Sequence, residues 1–368
     1  MRWRARLATA AAVLLGLVLL AGCWDQLGIS DRATALMVSV AWHPSRRSDW
    51  TFYFPNPTVT VNSQSQIKST QQLYTVAVAA DSWASAERAA QRLLDRHLYL
   101  GQLQVILWSS NLPAQAVTTL VDAYNRQGIT SKVAYLGVAR ASSLPDLLQA
   151  SPQEVVPRLK WQHIFSCGPC EAIHLSETFW HVWDDVHTPG MSPVVPYITT
   201  TGALGHIAVY GRQGPAVIFT RRQTLGWALL TSRVTREVLS LSRGTAHYAL
   251  TSVHGHATTH VAWAGGRLSV QAHVVMRGAL AQAPYGTAGR PSEIRAIETA
   301  TARMLLADCQ AAVRQANAQH VDPFGYARTL LFEHPQWVDH PPGGGWSSVP
   351  SHVAFTVSFN LTTPGVTS

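Results

Sequence analysis

The chain has 368 residues, enough for two or more domains, and 47% of them are hydrophobic against 13% charged, which excludes a long disordered polar chain. The formal charge is +8, and residues 1–22 hold three arginines and no acid, so the remainder carries 8 − 3 = +5. Those positive charges are scattered rather than gathered in a basic run, so no nucleic-acid partner is expected, whereas an anionic lipid surface suits the balance.

The first element is a secretory signal. Arg2, Arg4 and Arg6 precede an apolar run over residues 7–20, and Leu20-Ala21-Gly22-Cys23 follows. A basic start, a short apolar core and small residues before a cut define such a segment. The run is shorter than the about 20 residues a spanning helix needs. A cysteine just after Ala-Gly is the acceptor for a diacylglyceryl group, so the mature chain is expected to begin at Cys23 and to be tethered by lipid there.

Residues 35–42 read as a strand, residues 43–49 as a polar turn, and residues 50–54 as a second strand with Trp50, Phe52 and Phe54 on one face. Residues 56–69 are polar and read as a loop before a third strand at 73–79. Asp81 and Ser82 are candidate caps of a helix reaching Arg96, with Trp83, Ala86, Ala90, Leu93 and Leu94 at helical spacing. The continuous apolar run 103–108 predicts a strand buried on both faces. A helix from Asn111 and Pro113 to Gly128, a buried strand at 133–139 and a helical turn at 144–149 complete an α/β succession.

Prolines crowd residues 151–200, predicting broken helices and turns with one clear helix at 175–186. Beyond it, 203–210 and 216–219 read as a hairpin and 231–241 as a helical patch. Residues 246–253, 258–264 and 268–275, with a Gly265-Gly266 turn, form an antiparallel meander. Pro291-Ser292-Glu293 opens a long helix reaching Gln319, with Ile294, Ile297, Thr301, Met304, Leu305 and Ala312 as its stripe. Alternation over 352–361 closes the sheet.

Little in this pattern points to catalysis. With Cys23 lipidated, Cys167, Cys170 and Cys309 remain, too few for a disulfide framework. Cys167-Gly168-Pro169-Cys170 is a C-x-x-C pair read as a structural disulfide tying a loop. A thiol oxidoreductase, and two free or metal-coordinating thiols, are the alternatives; no apolar strand leads into the pair as the thioredoxin arrangement requires. His254, His256 and His260 share parity on a strand, a candidate zinc face, but Gly255 interrupts the strand and no carboxylate is nearby. Asp184-Asp185 is the one adjacent acidic pair in this reading and, on a helix, its members point apart. No nucleophile elbow, phosphate loop, dinucleotide fingerprint or zinc-protease motif occurs. No cofactor is expected, and no metal.

Several segments in order resemble the Ger(x)C lipoproteins, the C subunits of spore nutrient-germinant receptors. They are Gly22-Cys23-Trp24-Asp25; Phe54-Pro55-Asn56-Pro57 ending a strand; the stretch 81–107 with Leu98-Tyr99-Leu100-Gly101-Gln102-Leu103-Gln104-Val105-Ile106; Pro189-Gly190-Met191-Ser192-Pro193-Val194-Val195-Pro196; and Val321-Asp322-Pro323-Phe324-Gly325 after the long helix. Gln102 stands where relatives commonly carry His, and the Cys167–Cys170 segment looks like an embellishment.

The resemblance implies a non-enzymatic, lipid-anchored subunit on the outer face of the spore inner membrane, partnered by a large A subunit and an integral B subunit. A solute-binding lipoprotein of a transporter is the alternative. The expected fold is mixed α/β (α+β), with a signal at 1–22, an α/β unit at 23–196 and a unit of meander sheet plus long helix at 197–368. Which nutrient is sensed, and whether this chain touches it, stays open.

Overall fold

The computed structural model describes Trp3 and residues 28–61, 67–128, 130–147, 157–166, 172–264, 267–287, 290–339 and 351–363. In chain order the N-terminal elements are β1 (Arg32–Thr34), β2 (Met37–Ala41), β3 (Ser48–Val61), β4 (Ile67–Ala80), α1 (Trp83–Gln91), β5 (His97–Tyr99), β6 (Val105–Ser109), α2 (Ala114–Arg126) and β7 (Tyr135–Ala139). There follow α3 (Leu144–Leu147), α4 (Pro157–Ser166), α5 (Phe179–His187), β8 (Val194–Ile198), β9 (His206–Val209), β10 (Val217–Ile218) and α6 (Arg221–Leu230). The chain continues through β11 (Glu237–Arg243), β12 (Ala246–Ala264), β13 (Arg267–Gln282), α7 (Pro291–Ala318), α8 (Tyr326–Glu333) and β14 (Ser351–Thr363).

The first sheet has eight strands in the order β10-β9-β8-β7-β6-β2-β3-β4. Its centre, β2-β6-β7-β8, is parallel, and antiparallel pairs flank it on both sides. Helices cover both faces. On β6, Ile106 and Trp108 pack with α1, α2 and α5 through Trp83, Val121 and Phe179. Val105 and Leu107 pack on the other side with α3 and α4 through Leu144, Trp161 and Phe165. Burial on both faces is why this strand reads as a continuous apolar run.

The second sheet, β11-β12-β13-β14, is antiparallel except for the parallel edge pair β13-β14. Its inner face packs on α6 and α7, with Leu250, Val274, Met276, Leu305 and Ala312 in one core. Its outer face is exposed, as the alternating burial of β12 and β13 shows. Ile297 and Leu305 on α7 are fully buried; each contributes about 1.5–3 kcal/mol by leaving water. α6 joins the two sheets, since its Trp227 and Leu229 share that core with Ile207 and Val209 of β9. The expected border between residues 196 and 197 falls inside β8, and β9 and β10 carry the first sheet on to Ile218.

Several expectations about single elements are corrected: among them, residues 246–253 and 258–264 are one strand, β12, and the helix expected at 175–186 begins at Phe179. Residues 56–61 and 67–69 are strand rather than loop, extending the β3–β4 hairpin; the run Thr58-Val59-Thr60-Val61 is β-branched throughout, a preference that outweighs its polarity. The patch 231–241 is not helical. The helix lies earlier, in α6, started by a capping box in which Thr220 and Gln223 bond each other's backbone N–H. Glu237, Leu239 and Leu241 alternate buried with exposed neighbours, the period of β11. α4 is a regular helix opening on Pro157. α1 stops at Gln91, and Leu93 is 64% exposed beyond it.

Candidate functional site

Two segments 130 residues apart meet where the sheets join. α5 buries Phe179 and Val182, and Gly190, at φ 81°, turns the chain from it towards β8. In that turn the Ser192 backbone N–H donates to the Asp322 carbonyl (3.1 Å), and the Asp322 N–H donates to Ser192 Oγ (2.9 Å). The Asp322 carboxylate then accepts from the backbone N–H of Phe324 (3.1 Å), Gly325 (3.1 Å) and Ala327 (2.8 Å), capping α8. Gly325 precedes α8 at φ 77°, a left-handed conformation that favours glycine. Trp227 Nε1 donates to the Pro323 carbonyl at 2.8 Å, tying the same turn to α6.

Charged pairs also cross this junction. Arg328 on α8 donates to both Asp184 and Asp185 on α5, the latter at 3.3 Å. Arg233, beyond α6, pairs with the buried Glu177, which also faces His181 Nδ1 at 3.5 Å. Burial, with the negative charge of Glu177 beside it, pushes the Asp185 carboxyl up to about 7 against the pull of Arg328. Burial likewise raises Asp322, although its backbone donors pull the other way. Hydrogen bonding to Glu177 is the main cause that raises His181.

Beside the junction, a cleft of about 350 Å³ opens between α2, the end of α5 and residues 210–212. Thr118, His187, Thr188, Tyr210 and Arg212 are its polar lining. Both His187 ring nitrogens are engaged, Nδ1 with the Trp183 carbonyl (2.7 Å) and Nε2 with Asp122 (3.1 Å). Tyr210 accepts from Trp108 Nε1 at 2.7 Å. Thr188 Oγ1 donates to the Asp184 carbonyl at 2.9 Å and Thr118 Oγ1 to the Ala114 carbonyl at 3.2 Å, so these polar groups are bonded back to their own helices.

Cys23, Cys167 and Cys170 lie outside the described residues. Cys309 is buried in α7, where burial pushes its thiol up to about 12. His254, His256 and His260 share the exposed face of β12, as their parity predicts. The strand runs through Gly255 without a break, and the irregularity lies instead between Thr251 and His254. Among the described residues no three His, Cys, Asp or Glu side chains gather to hold a metal ion. Asp184 and Asp185 are brought together, but on Arg328. Sequence reading passed over Arg233, Glu177 and Arg328; with partners 56 to 144 residues away, periodicity carries no signal for them.

The chain matches two protein-family models in succession: "Spore germination protein N-terminal domain" over residues 25–200 and "Spore germination B3/GerAC like, C-terminal" over residues 211–365. No curated protein matches it. A solved structure, described as "Crystal Structure of the GerBC protein", has a similar fold, with a TM-score of 0.57 at 12% identity, covering 89% of this chain and 97% of that one. The α+β architecture, with its two large sheets, the small parallel pair β1-β5 and the long helix, is thus shared with that protein. With the two models matched over residues 25–200 and 211–365, the chain belongs to the GerAC family of spore germination proteins.

Proposed function

We propose that this protein is a lipid-anchored subunit of a spore nutrient germinant receptor. It acts through protein contacts at the outer face of the spore inner membrane and catalyses no reaction. Acylated Cys23 holds it there, and its partners are a large A subunit and an integral B subunit. The observation that carries this reading is the order of the matches: the family begins at residue 25, two residues past Cys23 (25 − 23 = 2), and runs to 365. The tether serves to raise the local concentration of the chain at its membrane partners. None of the described helices is long and apolar enough to cross a membrane. The junction of Ser192, Asp322 and Arg328 gives the two halves one fixed relation, which a subunit bridging two partners requires.

The anchor is tested by feeding sporulating cells a labelled palmitate. The chain is expected to carry the label and to sediment with membranes, and Cys23→Ala to lose both. A Cys23→Ala chain that stays in the membrane fraction overturns the anchor.

A further inference from the structure

Three large apolar side chains stand out of the protein around one groove. Ile29 is 88% exposed, Leu93 64% and Tyr74 40%. They line a groove of about 790 Å³ together with Arg32 and Arg96. Such a gathering marks a surface that is covered in use. The loop bearing Leu93 is held in place. Gln91 Nε2 donates to the Arg96 carbonyl (2.8 Å), and Gln91 Oε1 accepts from the Leu98 N–H (2.7 Å). Leu93 is therefore presented to solvent by a fixed turn.

The surroundings favour an anionic partner. Around the groove, Arg32, Arg92 and Arg96 stand against Asp31 and Asp95, 3 − 2 = +1. Residues 50–80 contain no acid and one lysine. The β3–β4 hairpin leaves the sheet from the same groove, whose lining includes its base at Pro55 and Tyr74. β2 pairs with β3 only from Asp49 to Tyr53, so from Pro55 to Val61 the arm is a two-stranded ribbon. At ~3.4 Å per residue it reaches about 20 Å from the sheet, and such a ribbon is marginal alone in water.

The length of chain before the groove selects the occupant. Cys23 and Gly28 are 28 − 23 = 5 residues apart, at most ~18 Å when fully extended. An acyl group on Cys23 thus keeps Ile29 within reach of the bilayer at all times. We infer that the groove around Ile29, Tyr74 and Leu93, with the base of the β3–β4 arm, is the face on which the protein rests on an anionic lipid bilayer. Ile29 and Leu93 enter the boundary between headgroups and acyl chains, and Arg32, Arg92 and Arg96 meet the phosphates. This orientation rests on the lipid anchor proposed above.

The test uses the acylated full-length mature protein, reconstituted on vesicles of equal parts phosphatidylglycerol and phosphatidylcholine. Backbone hydrogen exchange is compared with that of the unacylated Cys23→Ser chain free in solution. Amides of residues 29–31 and 92–96 are expected to exchange several-fold more slowly on the vesicles. The double variant Ile29→Asp with Leu93→Asp, at two exposed positions, is expected to stay bound through its lipid and to lose that protection. Acylated protein that floats with the vesicles yet exchanges these amides at the free rate overturns the resting face and leaves the anchor standing. Protection that appears only when an integral protein shares the membrane makes the occupant a protein and overturns the lipid assignment. Acylated protein that fails to float removes the anchor reading, and the orientation falls with it.

Discussion

Gly226 sits where α6 crosses α7. A Cβ built there lies 2.0 Å from the Asp308 carbonyl oxygen, 2.5 Å from its carbon and 2.9 Å from the Cys309 nitrogen. All three are backbone atoms of a packed helix, so no side chain can swing aside. Restoring an ordinary 3.4 Å contact requires the helices to part by 3.4 − 2.0 = 1.4 Å. A gap of even ~1 Å forfeits up to about half of each dispersion contact across an interface. Alanine gains back about 1 kcal/mol as the better helix former, against an overpacking cost at or above the usual ~1–3 kcal/mol. Gly226→Ala is therefore expected to destabilise by about 2–3 kcal/mol, lowering the melting temperature by roughly 4–12 °C at about 2–4 °C per kcal/mol. Gly128→Ala, with nothing within 4 Å of its notional Cβ, is the control and is expected to be neutral or slightly stabilising. The assay is thermal unfolding of the unacylated chain followed by circular dichroism. A Gly226→Ala protein melting within about 2 °C of the parent refutes the close crossing.

Asp322→Ala strips three backbone N–H groups at the start of α8 of their acceptor, and the loss expected is about 3–5 kcal/mol, read as a fall in denaturation midpoint. For Asp185, the folded carboxyl titrates near 7 rather than its ordinary 3.8, so the fold favours the protonated form. The stability it confers is full below about pH 4 and is lost as pH rises towards 7. Asp185→Asn is expected to gain stability over the parent at pH 8, by up to about 4 kcal/mol, and to show little gain at pH 4; equal effects at both pH values contradict the assignment. Cys167 and Cys170 are expected to be bonded to each other, giving an intact mass short by two hydrogens, and the chain to be inactive in an insulin-reduction assay. Insulin reduction that disappears in Cys167→Ser brings the thiol oxidoreductase forward.

What could be read from the sequence follows from how each element is buried. β6 announces itself because both its faces are covered, and α7 because Pro291 opens it and its stripe is narrow against a polar remainder. α6 escapes notice because Thr224 to Leu230 is buried on every side, leaving no amphipathic period; only the Thr220–Gln223 box marks it. The outer half of the β3–β4 hairpin reads as loop because Ser, Thr and Gln dominate its composition. The blocks containing Ser192 and Asp322 were legible as separate pieces of a resemblance. Their meeting was not, since nothing local in either segment specifies a partner 130 residues away. The lipid-bearing Cys23 is the reverse case, visible in the sequence and lying outside the described residues.

The receptor role is tested most directly in spores. Dipicolinic acid release on adding nutrients is measured in spores lacking this chain and its sister receptors, beside spores in which this chain alone is restored with its partner subunits. Loss of the nutrient response without the chain, recovery with it, and an unchanged response to a receptor-independent trigger are the results expected. An undiminished nutrient response in its absence contradicts the role.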